Sequence, residues 1–145
     1  MTSLGDRMKQ YESVSKTGLI HRMPVIIRLD DCHFHTFTKG FEKPFDEVLM
    51  HSMIRTMKFL CQNIQGCVFG YTQSDEISLI LVDYKKLNSS AWYDNEVQKM
   101  CSVAASLCTL AFNRIFREEV HNHVTKYFNK LLFYYSYIRI EYIYI

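Results

Sequence analysis

Apolar and polar residues come in short blocks along the chain, and the period of each block selects one kind of element. Just past Pro24, the run Val25-Ile26-Ile27-Arg28-Leu29 is β-branched and brief, which predicts a strand ending at Asp30. A loop follows through Gly40 to Pro44. Asp46 then stands where a side chain caps free helical N–H groups, and Leu49, Met53, Met57, Leu60 and Ile64 recur every three or four residues. That stripe predicts a helix lying on a sheet, and Gly66, just past its last member, suits the left-handed position that ends a helix. Val68–Tyr71 and Ile77–Val82 read as strands, and the polar link Thr72-Gln73-Ser74-Asp75 predicts an antiparallel hairpin with Asp75 at its turn. After a loop from Lys85 to Ser90, Val97, Cys101, Ala104, Cys108, Ala111 and Ile115 share one face of a helix expected from about Asp94 to Phe116. The order β-α-β-β-α predicts an α+β fold, most of a ferredoxin-like palm, whose final strand the C-terminal segment should supply.

That segment changes character. Positions 126–145 hold six Tyr, four Ile and two Phe without Gly or Pro. Such residues favour strands, but they are also what A/T-rich codons give in any frame, and a non-homologous tail is the preferred reading. The expected division is a catalytic palm over 1–117 and a divergent tail over 118–145.

At 145 residues, the chain has room for one core. Its apolar fraction of 48% and charged fraction of 22% are those of an ordinary globular protein. Seventeen Lys and Arg against fifteen Asp and Glu exclude a strongly basic coat for nucleic acid, so any RNA must be held by a local patch. Cys32, Cys61, Cys67, Cys101 and Cys108 are odd in number and form no CxxC pair, which reads as reduced core-filling thiols. No stretch looks like a signal peptide or a membrane span, and the expected setting is the cytoplasm or an organelle matrix.

The five glycines form neither GxGxxG nor GxxxxGK, so a Rossmann or P-loop site is excluded as far as motifs go. The remaining candidate chemistry is acidic. In the expected topology Asp30 and Asp75 sit at neighbouring strand ends, where two carboxylates can hold a pair of divalent cations. On spacing alone, the plainer reading of Asp30-Asp31 as a solvated strand end and Asp75-Glu76 as a hairpin turn is the stronger one. His33 and His35 share a spacing of two, but no further ligand stands nearby to suggest zinc.

Four segments tip the balance: RMKQYESVS (7–15), PVIIRLDDCHFHTFTKGFEKPFDE (24–47), GYTQSDEISLIL (70–81) and VQKMCSVAASLCTLAFN (97–113). Together they resemble the tRNA-His guanylyltransferase family, in particular its guanylyltransferase-like branch of 3′-to-5′ RNA polymerases, over residues 5 to 117. The resemblance implies a polymerase-like palm and a nucleotidyltransferase acting in tRNA processing or repair. A 5′-monophosphate end is first activated with ATP as an adenylylated intermediate, and the 3′-hydroxyl of an incoming nucleotide, commonly GTP, displaces AMP. It implies two Mg²⁺ ions held by Asp30, Asp75 and the backbone carbonyl of Asp31. Glu76 stands with them as a lower-ranked catalytic carboxylate, since strand alternation turns it from the face of Asp75. For nucleotide binding the matching positions are Asp31, Cys32, His33, Phe34, His35, Lys43 and Ser74. Phe34 and Phe37 read more readily as packing than as base-stacking residues. The partners implied are tRNA and nucleoside triphosphates, with no membrane, and a homo-oligomer, a tetramer in the family.

Two departures set limits. The family has Gly and a basic residue after the first metal Asp, where this chain has Asp31 and Cys32. Family members also continue well past this chain's end, and nothing after about residue 117 is expected to match them. The competing reading is therefore a catalytically inactive, truncated member retaining at most weak nucleotide binding.

Overall fold

A computed structural model describes residues 3–30 and 34–134. Its elements are helix α1 (Leu4–Val14), strand β1 (Val25–Leu29), a single helical turn α2 (Phe34–Phe37), helix α3 (Glu47–Asn63), strands β2 (Cys67–Gln73) and β3 (Glu76–Leu81), and helix α4 (Val97–Tyr134). The expected β-α-β-β-α order is present, in an α+β domain. The sheet order is β1-β3-β2 with both pairings antiparallel, so β1 and β2 run parallel with β3 between them. This arrangement follows from α3 carrying the chain back across the sheet before the hairpin is made.

Strand alternation decides which side is covered. Val25 and Ile27 of β1 and Ile77, Leu79 and Leu81 of β3 are buried on the inner face, while Ile26 is 71% exposed on the other. Met53, Leu60 and Ile64 of the α3 region and Met100 and Ala104 of α4 join that core. Fully burying a side chain such as Leu60, Ile77 or Leu79 contributes about 1.5–3 kcal/mol, and these three are 0–1% exposed. Asp46 caps α3, its carboxylate accepting from the Leu49 N–H at 2.9 Å. Gly66 takes a left-handed φ of +79°, and a Cβ there would lie 2.7 Å from the Val82 carbonyl oxygen, so the position requires glycine on two counts.

Three differences from the expected elements have physical causes. Residues 4–14 form a helix held by a reciprocal cap. Ser3 Oγ accepts from the Asp6 N–H at 3.1 Å, and Asp6 accepts from the Ser3 N–H at 3.1 Å. Helix α4 starts at Val97 rather than near Asp94, because Tyr93, Asp94 and Asn95 all take left-handed φ values of 49°, 53° and 57°. Nor does α4 stop at Phe116. It runs unbroken to Tyr134, about 57 Å at 1.5 Å per residue, since no Gly or Pro interrupts it and Arg55 on α3 pairs with both Glu118 and Glu119. No fourth strand occurs among the described residues, and the end of the segment expected to supply it, 135–145, lies outside them. No described helix is long and apolar enough to cross a membrane.

Candidate active site

The β1–β3 ladder ends with Leu29 opposite Ile77, one residue before Asp30 on one strand and two residues after Asp75 on the other. Both acids therefore leave the sheet at the same corner. β2 and β3 are joined by the two-residue turn Ser74-Asp75, with Gln73 opposite Glu76. Asp75 lies two positions from inward-facing Ile77 and so points to the same side.

At that corner opens a cavity of about 340 Å³, near the lower end of the range for small-molecule sites. Asp30 and Asp75 line one end with Leu29 and Ile77. Phe34 and Phe37 of α2 and Met53 of α3 form an apolar side, and α4 supplies the back wall from Ala105 to Asn113. Asp30 is exposed and Asp75 half-buried. Neither carboxylate has an ion-pair or hydrogen-bond partner among the described residues.

The aromatic side is held together by ring contacts. Phe37 meets Phe112 and Phe116 at centroid distances of 6.0 and 5.2 Å, and Phe34 meets Phe37 at 5.9 Å. Phe41 lies parallel to Phe116 at 6.1 Å. These edge and offset contacts fasten the short turn α2 to the long helix α4. Phe34 and Phe37 thus both pack and line the cavity.

Asp30, Phe34 and Asp75 are brought together. Asp31, Cys32 and His33 lie outside the described residues, as does the side chain of His35. Lys43 is exposed on the link before α3, and Ser74 is exposed at the hairpin turn with φ +55°; neither lines the cavity. Glu76, named above with the catalytic carboxylates, is also outside the lining. Its carboxylate pairs with Arg28 across β1 and β3 on the open face of the sheet, as alternation from Asp75 requires.

Periodicity alone did not find the back wall. Thr109 and Asn113 supply its hydroxyl and amide, and Asn113 also donates to the Thr109 carbonyl at 2.8 Å. A helical stripe shows which residues can share a face but not which part of that face looks into a cavity. Among the described residues the cysteines form no disulfide. Cys61 is pushed up to about 11, first by burial and then by its hydrogen bond with Cys67 and the charge effect of that neighbour.

The chain is, in class, an α+β domain with two acidic strand ends over one cavity. Residues 5–136 match the family model for tRNAHis guanylyltransferase. A bacterial tRNA(His) guanylyltransferase-like protein in complex with GTP superposes at a TM-score of 0.73 with 50% identity, over 81% of this chain and 54% of that one. The corresponding ATP complex gives 0.75 and 49%, over 81% of this chain and 52% of that one. An uncharacterised protein of Acanthamoeba polyphaga mimivirus is 33% identical over 120 residues, 79% of this chain and 41% of its own length. The chain belongs to the tRNAHis guanylyltransferase family, and it spans about half the length of the two bacterial structures. The family match continues into α4 beyond residue 117, where the sequence was expected to part from its relatives.

Proposed function

We propose that this chain is the palm of a nucleotidyltransferase that adds nucleotides, GTP preferentially, to tRNA 5′ ends in the 3′-to-5′ direction. The observation that carries the reading is the meeting of Asp30 and Asp75 in one cavity, without protein partners among the described residues. The β1-β3-β2 order with α3 and α4 on one face is that of a split βαβ unit, in keeping with a ferredoxin-like palm. The bacterial relatives bound to GTP and ATP support nucleoside triphosphates as ligands.

The donor set fits Mg²⁺, which favours hard oxygen ligands and is commonly held by one or two carboxylates together with substrate phosphates and water. Among the described residues no group of three or more His, Cys, Asp or Glu gathers, so Asp30 and Asp75 stand as a pair. Two such ions, held by Asp30, Asp75 and the backbone carbonyl of Asp31, would offset triphosphate charge and activate the attacking hydroxyl. The chain's own groups do the rest. Phe34, Phe37 and Phe112 line the cavity and would offer an apolar side to a nucleobase. For Cys32, His33, His35, Lys43 and Ser74 the family resemblance implies a part in binding the nucleotide. A 5′-monophosphate attacks ATP with loss of pyrophosphate; the 3′-hydroxyl of GTP then forms the new ester and AMP leaves. Such an enzyme works in the cytoplasm or an organelle matrix, and assembly as a homo-oligomer, up to the tetramer of the family, is read directly by light scattering.

A second reading, an inactive family member that at most binds nucleotide, is favoured by Asp31 and Cys32 standing where relatives have Gly and a basic residue. Incorporation of labelled GTP onto 5′-monophosphorylated and 5′-triphosphorylated tRNA, with ATP and Mg²⁺, separates the two. The expected outcome is label with the parent chain and at least a hundredfold loss, about 2.7 kcal/mol, in Asp30→Ala and Asp75→Ala. No label on either RNA from folded protein establishes the inactive reading.

A further inference from the structure

We infer that the Arg28–Glu76 pair is a positioning device that fixes the spacing of Asp30 and Asp75 from the opposite face of the sheet; this rests on the metal-site reading above. Arg28 is two residues before Asp30, and Glu76 directly follows Asp75. The ladder between their strands ends at Leu29 and Ile77, so the backbone carrying each acid is leaving the sheet where the cavity needs it fixed. Arg28 lies opposite Ser78, which makes Glu76 its diagonal neighbour on the same face, and the two side chains close as an ion pair across the strands. Glu76 is held on its other side as well: its carbonyl accepts from Thr72 Oγ1 of β2 at 2.8 Å. Arg28, Glu76 and Thr72 therefore link all three strands beside the two carboxylates, the ion pair from the open face and the Thr72 hydroxyl through the Glu76 backbone.

Stability does not account for the pair. The Arg28 and Glu76 side chains are 59% and 38% exposed, and an ion pair so open to solvent adds little to folding. What it does supply is a fixed distance between two strand ends. Glu76 is thus a positioning residue, acting through β3 and not by touching an ion.

The test reads Mn²⁺ binding to the nucleotide-free chain by electron paramagnetic resonance, beside thermal unfolding. Arg28→Met and Glu76→Gln are each expected to weaken Mn²⁺ binding by roughly tenfold, in the range for residues that orient metal ligands, with little change in Tm. The double variant should be no weaker than either single one, and the exchange Arg28→Glu with Glu76→Arg should recover most of the affinity. If Glu76→Gln abolishes binding while Arg28→Met leaves it intact, Glu76 is itself a ligand and the inference fails. Unchanged binding in both, with a lowered Tm, overturns it equally. In those two cases loss of binding in Asp30→Ala shows that the metal site stands without the pair. A parent chain that binds no Mn²⁺ overturns the site reading and this inference together.

Discussion

At the scale of single residues, polar groups are informative where their partners are missing. Thr56 is fully buried on the inner side of α3, and its hydroxyl has no hydrogen-bond partner among the described residues. A buried hydroxyl without a partner gives up its hydration for nothing, whereas valine of the same shape does not. Thr56→Val is therefore expected to raise the unfolding free energy by about 1 kcal/mol, seen as a higher urea midpoint at unchanged slope; a lower midpoint would mean that the hydroxyl is bonded in solution. The same logic of faces made part of the site readable from sequence. Because neighbours on a strand point to opposite sides, Asp75 and Glu76 had to separate, and the structure turns one toward the cavity and the other toward Arg28. Residue alternation cannot show that Arg28 lies at the right diagonal to meet Glu76. That depends on the register between β1 and β3, which no local pattern contains.

At the scale of elements, three- and four-residue periodicity gave α3 and its cap, and turn chemistry gave the hairpin, because those signals are local. The length of α4 was not legible. Residues 126–145 are rich in Tyr, Ile and Phe, whose strand preference is only a prior, while the long helix is stabilised from outside by α3. Arg55 donates to Glu119 at 2.6 Å and to Glu118 at 2.7 Å, and Lys126 lies 3.7 Å from Glu47. The carboxylates raise the affinity of the Arg55 guanidinium for its proton, the Glu119 hydrogen bond most of all. These contacts fall across the expected boundary at residue 117. A chain ending after Lys126 should unfold close to the parent in urea, and one ending after Arg117 should lose about 1 kcal/mol, the upper value for partly exposed pairs. Equal stabilities would place the edge of the folded unit at 117 after all.

For the whole molecule, the end of the sheet opposite the cavity is fastened by one buried acid. Asp83, just past β3 and 7% exposed, accepts from the Arg22 N–H through both oxygens, at 2.9 and 3.0 Å. His21 lies 3.4 Å from Asp83 and 3.5 Å from Asp94, and Asp94 belongs to the left-handed turn before α4. The Leu19 N–H donates to the Asn95 carbonyl at 3.0 Å, and the Val97 N–H to the Thr17 carbonyl at 2.8 Å. Segment 17–22, β3 and the start of α4 are thus joined around Asp83, and three consecutive left-handed residues persist because the surroundings hold them. The Arg22 backbone N–H, more than any other cause, keeps the Asp83 carboxyl below the usual carboxylate range, with His21 assisting. A group whose folded value is depressed stabilises the fold fully above its unfolded value, near pH 4, and that contribution disappears as pH falls through the lower folded value. Thermal unfolding between pH 6 and pH 2.5 should accordingly show Tm falling below about pH 4 in the parent chain. In Asp83→Asn the Tm should start lower and fall less over that interval, because the amide cannot titrate; parallel curves would assign the acid sensitivity to other carboxylates and leave Asp83 a packing residue.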